Sequence, residues 1–249
     1  MTPLPPVLEA VLATGAVPRP IDSGIWSVIP EGTPSQRYDG RARLYDRLIG
    51  SRLYNRVAWG TSPAAYAAFA HQAAAYGNGP LLDAGCGTLV STAAIHAASG
   101  RPTVLVDISR DMLAVARQRL VAMGGHIPDH LVFLQADLRH LPFRDSVFGS
   151  VLCPGMLHLF DDVEIIAAAL ARVTAPAGCL FMTSLVTDRW LGARYLGALH
   201  RSGEVARPRS AAELVGRLGS AASGLARPVT LRIDGGVAFM TGQIATPDA

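Results

Sequence analysis

Short apolar runs recur along the chain, each closed by a small or polar residue and followed by helical spacing. Leu81-Leu82, Pro102–Val106, Leu131–Ala136, Val147–Cys153 and Gly178–Val186 are brief and almost wholly apolar, the pattern of strands buried inside a sheet. The intervening segments read as helices. Pro63–Tyr76 stops at Gly77-Asn78-Gly79, Ser91–Ala98 stops before Gly100, and Asp111–Met123 stops at Gly124-Gly125. Further helices are expected over Val163–Val173 and Ser210–Leu218. The last two runs, Val229–Ile233 and Val237–Thr241, alternate around Asp234-Gly235-Gly236, as in a β-hairpin. Alternating strands and helices predict an α/β fold with a doubly wound, mostly parallel sheet. The hairpin adds an antiparallel edge, for seven strands in all.

The rest of the chain is less regular. Residues 1–37 form a proline- and glycine-rich arm with a short helical stretch, Val7–Thr14, and an extended apolar stretch, Ser23–Pro30. This arm could pack on the domain surface, close over a substrate as a lid, or strap onto a second subunit in a homodimer. Residues 38–79 read as a helical cap. Its first helix runs from Tyr38 through Tyr54 to Trp59 and breaks at Gly60. Residues 80–249 form the core, with an inserted helix around 188–209 that mixes Trp190, Tyr195 and His200 with arginines.

Composition narrows the possibilities. The chain has 249 residues, half of them hydrophobic, enough for one α/β domain with a sizeable core. Its formal net charge is +3 and every basic side chain other than histidine is arginine, with no arginine block forming a nucleic-acid stripe. The 3 cysteines, Cys86, Cys153 and Cys179, lack metal-ligand spacing and suggest a reduced protein without disulfides. Met1–Pro6 has no basic region leading into an apolar core, and no apolar run is long enough to span a bilayer. The expected location is the cytoplasm.

The chemistry concentrates in Leu81–Thr88. A buried strand meets an acid, Asp83, and then Gly85-Cys86-Gly87, a turn whose glycines let the backbone approach a ligand. A dinucleotide fingerprint would require a third glycine where Val90 stands. Asp83 would also repel a pyrophosphate, whereas it suits a ligand with a cationic amino group. The run Asp83-Ala84-Gly85-Cys86-Gly87-Thr88 resembles motif I of the class I S-adenosylmethionine (SAM) methyltransferases. The pattern Tyr38-Asp39 to Tyr45-Asp46 is similar to the cap of the branch that includes quinone-biosynthesis C-methyltransferases. Leu141-Pro142-Phe143 with Asp145–Phe148 matches a further run of that family, except that Gly149 replaces its acid. Leu89 replaces the glycine that often follows the motif I threonine.

The resemblance implies SAM as cofactor and S-adenosylhomocysteine as product. It implies contacts from the cap through Tyr38 and Tyr45, and from the loop through Asp83, Ala84, Gly85, Cys86 and Gly87. Asp107, at the end of the second strand, is placed to accept from the ribose hydroxyls. Ile108 would lie against the adenine, with Met112 beyond it, and Asp137 and Leu138 would contact the base. Cys153 and Pro154 would face the methionine half. His158, just after the fourth strand, is the expected base for a hydroxyl acceptor, with His200 as a second candidate. His140 and Asp162 are expected to be solvated. Cys86 is expected for its small size, and His158, Asp161 and Asp162 are not expected to bind a metal. The expected partner is a small-molecule acceptor, methylated at oxygen or carbon, in a pocket drawn from Trp26, Tyr38, Tyr54, Trp59, Trp190 and Tyr195. The rival readings are a SAM-binding protein without catalysis and a dinucleotide-dependent oxidoreductase.

Overall fold

The computed structural model describes residues 3–22, 24–31, 46, 50–221 and 224–246. The buried strands of the sequence form the centre of one sheet: β3 (Leu81–Ala84), β4 (Thr103–Asp107), β5 (Leu131–Gln135), β6 (Phe148–Cys153) and β7 (Thr174–Leu185). These strands are mutually parallel in the order β5-β4-β3-β6-β7. Side chains alternate between the two faces, and both faces are buried. Val104 and Val106 enter one core while Leu105 enters the other; Val132 and Leu134 oppose Leu131 and Phe133 in the same way. That two-sided burial is why the strands read as continuous apolar runs.

The C-terminal hairpin consists of β8 (Thr230–Asp234) and β9 (Val237–Gln243). β9 inserts antiparallel against β7, and β8 lies outside it. The edge position explains why Leu231 and Ile233 remain exposed.

Among the described residues the sheet has nine strands, not seven. The two additional strands come from the N-terminal arm: β1 (Arg19–Asp22) pairs antiparallel with β2 (Ile25–Ser27), and β2 pairs parallel with β5. The free edge of β5 offers unpaired backbone groups, and Ile25-Trp26-Ser27 satisfies them while burying its own side chains. Ser27 and Gln135 share a hydrogen bond of 2.9 Å across this junction. The short helix α1 (Pro6–Glu9) places Leu8, with Val11 just beyond it, fully into the core, so this part of the arm belongs to the sheet's packing.

Two helical layers cover the sheet. On one side lie α2 (Pro63–Ala75), α3 (Ala93–Ser99) and α4 (Arg110–Gly124); on the other lie α5 (Val163–Val173) and α7 (Ala211–Ala221). The inserted segment forms α6 (Trp190–Arg201), which packs on a π-helical turn, Asn55–Trp59. Gly60, at φ 69°, ends that turn.

The C-terminal end of α2 is held by Arg101, whose guanidinium donates to the carbonyls of Ala73, Ala74, Tyr76 and Gly79. The turn that follows passes so close to β6 that a Cβ on Gly149 would collide with the Asn78 carbonyl. This accounts for glycine where the resembling family carries an acid.

Candidate active site

The order of strands reverses between β3 and β6, and in a doubly wound sheet a crevice opens at the carboxyl ends of the strands there. A cavity of about 460 Å³ occupies that position. Its wall combines the loop after β3, the end of β4, the loop after β6, the end of β7, and residues of the π-helical turn, α2 and α6.

The glycine loop forms the floor. Gly85 (φ 80°) and Gly87 (φ 54°) take the left-handed conformation that their lack of a Cβ allows. A Cβ on Gly85 would overlap Met156, whereas a Cβ on Gly87 would meet no atom within 4 Å. Leu89 keeps a left-handed backbone at φ 56° although it is not glycine, and its side chain is 1% exposed. Packing therefore holds a conformation that costs a non-glycine residue roughly 1 kcal/mol.

Asp107 closes β4 at the cavity wall. Its Oδ2 accepts from the Gly87 amide at 2.9 Å and its Oδ1 accepts from the Ser109 amide at 2.9 Å. The carboxylate is fixed by the loop it faces and retains lone pairs for hydroxyl donors. Burial pushes its pKa up to about 6, against the pull of those amide bonds. Ser109 caps α4 by accepting from the Met112 amide, which orients Ile108 and Met112 along the same wall.

Gly85, Cys86, Gly87, Asp107, Ile108, Met112, Pro154 and His158 thus share the cavity. Asp83, Ala84, Asp137, Leu138 and Cys153 do not line it. Asp83 turns beneath the loop, where its Oδ2 is 2.7 Å from His96 Nε2, both side chains being fully buried. Its position is set by α3, which brings His96 under the strand end. Asp137 caps the turn Leu138–His140 by accepting from the Arg139 amide on Oδ1. Leu138 is 4% exposed and Cys153 and Ala84 are fully buried, all within the core. Tyr38 and Tyr45 lie outside the described residues.

Other expectations change with packing. Asp162 is paired with Arg139 at 2.8 Å and is not simply solvated, while His140 is 82% exposed. Asp161 accepts from the Arg207 amide and the Arg209 guanidinium. Among the described residues no group of three or more His, Cys, Asp or Glu side chains could hold a metal ion. Burial and the nearby Asp83 and Asp107 carboxylates push the Cys86 thiol well up, which leaves it a small neutral wall residue. His200 bonds the Val205 carbonyl and does not line the cavity. Of the aromatic residues expected in the pocket, Tyr54, Trp59 and Tyr195 line it. Trp26 is in the core and Trp190 is 72% exposed.

Among the described residues, the Asp46 carboxylate ties the loop to the cap. Asp46 accepts from Thr88 Oγ1 and from the Arg119 guanidinium, and Arg119 also donates to the Thr88 carbonyl at 2.9 Å. Tyr66, Leu185, Leu199 and Glu204 are wall residues that local sequence signals did not single out. They come from α2, β7, α6 and the segment that follows α6.

A nine-stranded sheet with its switch-point cavity, glycine loop and terminal hairpin defines a Rossmann-like methyltransferase architecture. The family model described as a methyltransferase domain matches residues 82–182. The chain is 38% identical over 101 residues to the uncharacterised methyltransferase YodH of Bacillus subtilis, covering 41% of each protein. It is 34% identical over 79 residues to the ubiquinone/menaquinone biosynthesis C-methyltransferase UbiE of Saccharophagus degradans, covering 32% of this chain and 31% of that protein. The match therefore spans less than half the length of either curated relative. Phosphoethanolamine N-methyltransferase 2 of Haemonchus contortus, solved with phosphomonomethylethanolamine and S-adenosylhomocysteine, superposes with a TM-score of 0.63 at 14% identity. That superposition covers 85% of this chain and 59% of that one, and it speaks to the fold alone. Among the described residues no helix is long and apolar enough to cross a membrane.

Proposed function

We propose that this protein is a SAM-dependent methyltransferase acting on a small-molecule acceptor at oxygen or carbon. The observation that carries the reading is Asp107: a buried carboxylate at the end of β4, pinned by the Gly87 and Ser109 amides and facing the cavity. It suits the two hydroxyls of a ribose. Ile108 and Met112 supply an apolar wall for a base, and the space above Gly87 leaves backbone open to a ligand. These residues fit SAM, which supplies a methyl group already activated on a sulfonium.

The chain's own contribution is placement and exclusion of water. Pro154, Gly155 and Met156 border the loop where β6 ends, and His158 stands between them and β7. His158 Nδ1 accepts from the Leu185 amide at 3.5 Å, which leaves the hydrogen on Nε2. Burial lowers its pKa to about 4. A group so weakly basic is poorly matched to removing a hydroxyl proton near neutral pH. Its role is then to hold the acceptor as a hydrogen-bond donor, in place of the general base that its sequence position suggests. This favours an acceptor that is electron-rich when bound, such as a phenolate- or enolate-like group.

The test is thermal unfolding with S-adenosylhomocysteine, NAD and NADP in parallel. A ligand at a hundredfold over its dissociation constant adds about 2.7 kcal/mol and raises the midpoint by several degrees. A shift with S-adenosylhomocysteine alone is expected. A shift only with a dinucleotide would overturn the proposal.

A further inference from the structure

Two elements that wall the cavity also turn a face outward. One is the helical segment Arg52–Tyr54 with the π-helical turn it runs into, and the other is α6. Their inward residues Tyr54, Trp59 and Tyr195 line the cavity and join the two elements. Trp59 and Tyr195 have ring centroids 5.1 Å apart, and the Tyr54 and Tyr195 hydroxyls are 3.0 Å apart. The residues between these positions are exposed: Leu53, Arg56 and Val57 on the first element, and Trp190, Arg194 and Arg201 on α6. The spacing of the last three, four and then seven residues apart, puts them on one side of the helix. Leu53 and Trp190 are each 72% exposed, so a large apolar area is left in water.

The charge on this surface has one sign. No acidic residue occurs between Asp46 and Asp83, or between Asp188 and Glu204. Among the described residues the arginine salt bridges involve other arginines, and Arg56, Arg194 and Arg201 take part in none. The Arg194 guanidinium lies over the Trp190 ring, 5.4 Å from its centroid, which couples a cation to the apolar surface.

That combination discriminates among partners. A second copy docking through the same face would set arginine against arginine with no acid between them. A nucleic acid would meet the arginines but leave Leu53, Val57 and Trp190 against phosphates. A bilayer with anionic headgroups accommodates both parts. Tryptophan and leucine enter the boundary between headgroups and acyl chains, while arginines meet the lipid phosphates.

We infer that the outward face of α6 and of the segment Arg52–Trp59 docks peripherally on an anionic lipid bilayer. Leu53, Val57 and Trp190 enter the headgroup layer, and Arg56, Arg194 and Arg201 pair with lipid phosphates. The inference goes beyond the methyltransferase reading and does not depend on it. Docking in this way sets the aromatic wall of the cavity beside the lipid, the phase in which an apolar acceptor concentrates.

The experiment uses the full chain and vesicles of phosphatidylcholine, with or without about 30% phosphatidylglycerol. Trp190 is the reporter, because the other two of the 3 tryptophans, Trp26 and Trp59, are buried. Anionic vesicles are expected to shift the tryptophan emission to the blue and to carry the protein down in co-sedimentation. Binding to neutral vesicles should be at least about tenfold weaker, and added salt should weaken binding to the anionic ones. Trp190→Phe should abolish the emission shift. Arg194→Gln and Arg201→Gln should each lower vesicle affinity by about fivefold, with the unfolding midpoint retained as a check on folding. Equal affinity for neutral and anionic vesicles, no sedimentation with either, a shift that persists in Trp190→Phe, or full affinity in the double arginine variant would each overturn the inference. An emission shift on raising protein concentration without lipid would also overturn it in favour of a second copy, as would one with duplex DNA in favour of a nucleic acid.

Discussion

Replacing Asp107 by asparagine separates the proposed cofactor contact from the fold. In the ligand-free protein the carboxyl pKa is raised by burial to about 6, from an ordinary 3.8. That difference of about two units disfavours the ionised form by roughly 3 kcal/mol at neutral pH. The folded state therefore holds the proton more tightly than the unfolded chain between about pH 4 and pH 6. Across that window this group's contribution to stability is largest on the acid side and is lost as pH rises through 6. Ribose hydroxyls donating to the carboxylate favour its ionised form. The S-adenosylhomocysteine dissociation constant should be flat above about pH 6 and rise by up to tenfold per unit below it.

The Asp107→Asn variant cannot titrate. Its amide can accept from only one of the Gly87 and Ser109 donors, so one backbone N–H loses its partner, at a cost of about 1–3 kcal/mol. Relief of the buried charge offsets most of this, and unfolding free energy should change by less than about 2 kcal/mol. Affinity at pH 7.5 should fall by about thirtyfold, the loss of roughly 2 kcal/mol of charge-assisted hydrogen bonding. Calorimetric titration of both proteins between about pH 5 and pH 8 measures each quantity. A wild-type affinity independent of pH, or a variant within about threefold of wild type, would refute the reasoning.

Two further outcomes follow from buried groups. His96→Ala leaves the Asp83 carboxylate fully buried without its 2.7 Å partner, and should destabilise the fold by about 3 kcal/mol in urea unfolding. A change under about 1 kcal/mol would mean that the pair is not a structural clamp beneath the loop. For His158, the pKa of about 4 lies below the ordinary 6.5, so the unfolded chain binds the proton more tightly and stability contributed here is lost as pH falls from 6.5 towards 4. Turnover should accordingly show no His158 inflection between about pH 6 and pH 8. An inflection near 6.5 that disappears in His158→Gln would restore the general-base role.

Much of this architecture was legible in the sequence because its signals are local. Strands buried on both faces are apolar at every position, helices end at glycines, and a strand-to-helix turn needs residues without a Cβ. Those rules locate β3 to β7, the hairpin, the Gly85–Gly87 loop and Asp107 without any tertiary information. What they cannot settle is which partner a polar side chain meets. Asp83 precedes the glycine loop as a ligand-facing acid would, yet α3 presents His96 beneath it and the carboxylate turns inward. Asp137 follows the third predicted strand, and only the folded turn shows that its carboxylate accepts from the Arg139 amide.

The arm shows the same limit from the side of the backbone. Ile25-Trp26-Ser27 reads as extended and apolar, but only the free edge of β5 makes it a strand and sets its register. The wall of the cavity is likewise a product of packing. Tyr66, Tyr195 and Glu204 belong to segments that share no motif, and they meet because α6 docks on the π-helical turn beside α2. Local pattern fixes secondary structure and the strand-end loop. The competition among donors, acceptors and free edges is decided only when distant elements are brought into contact.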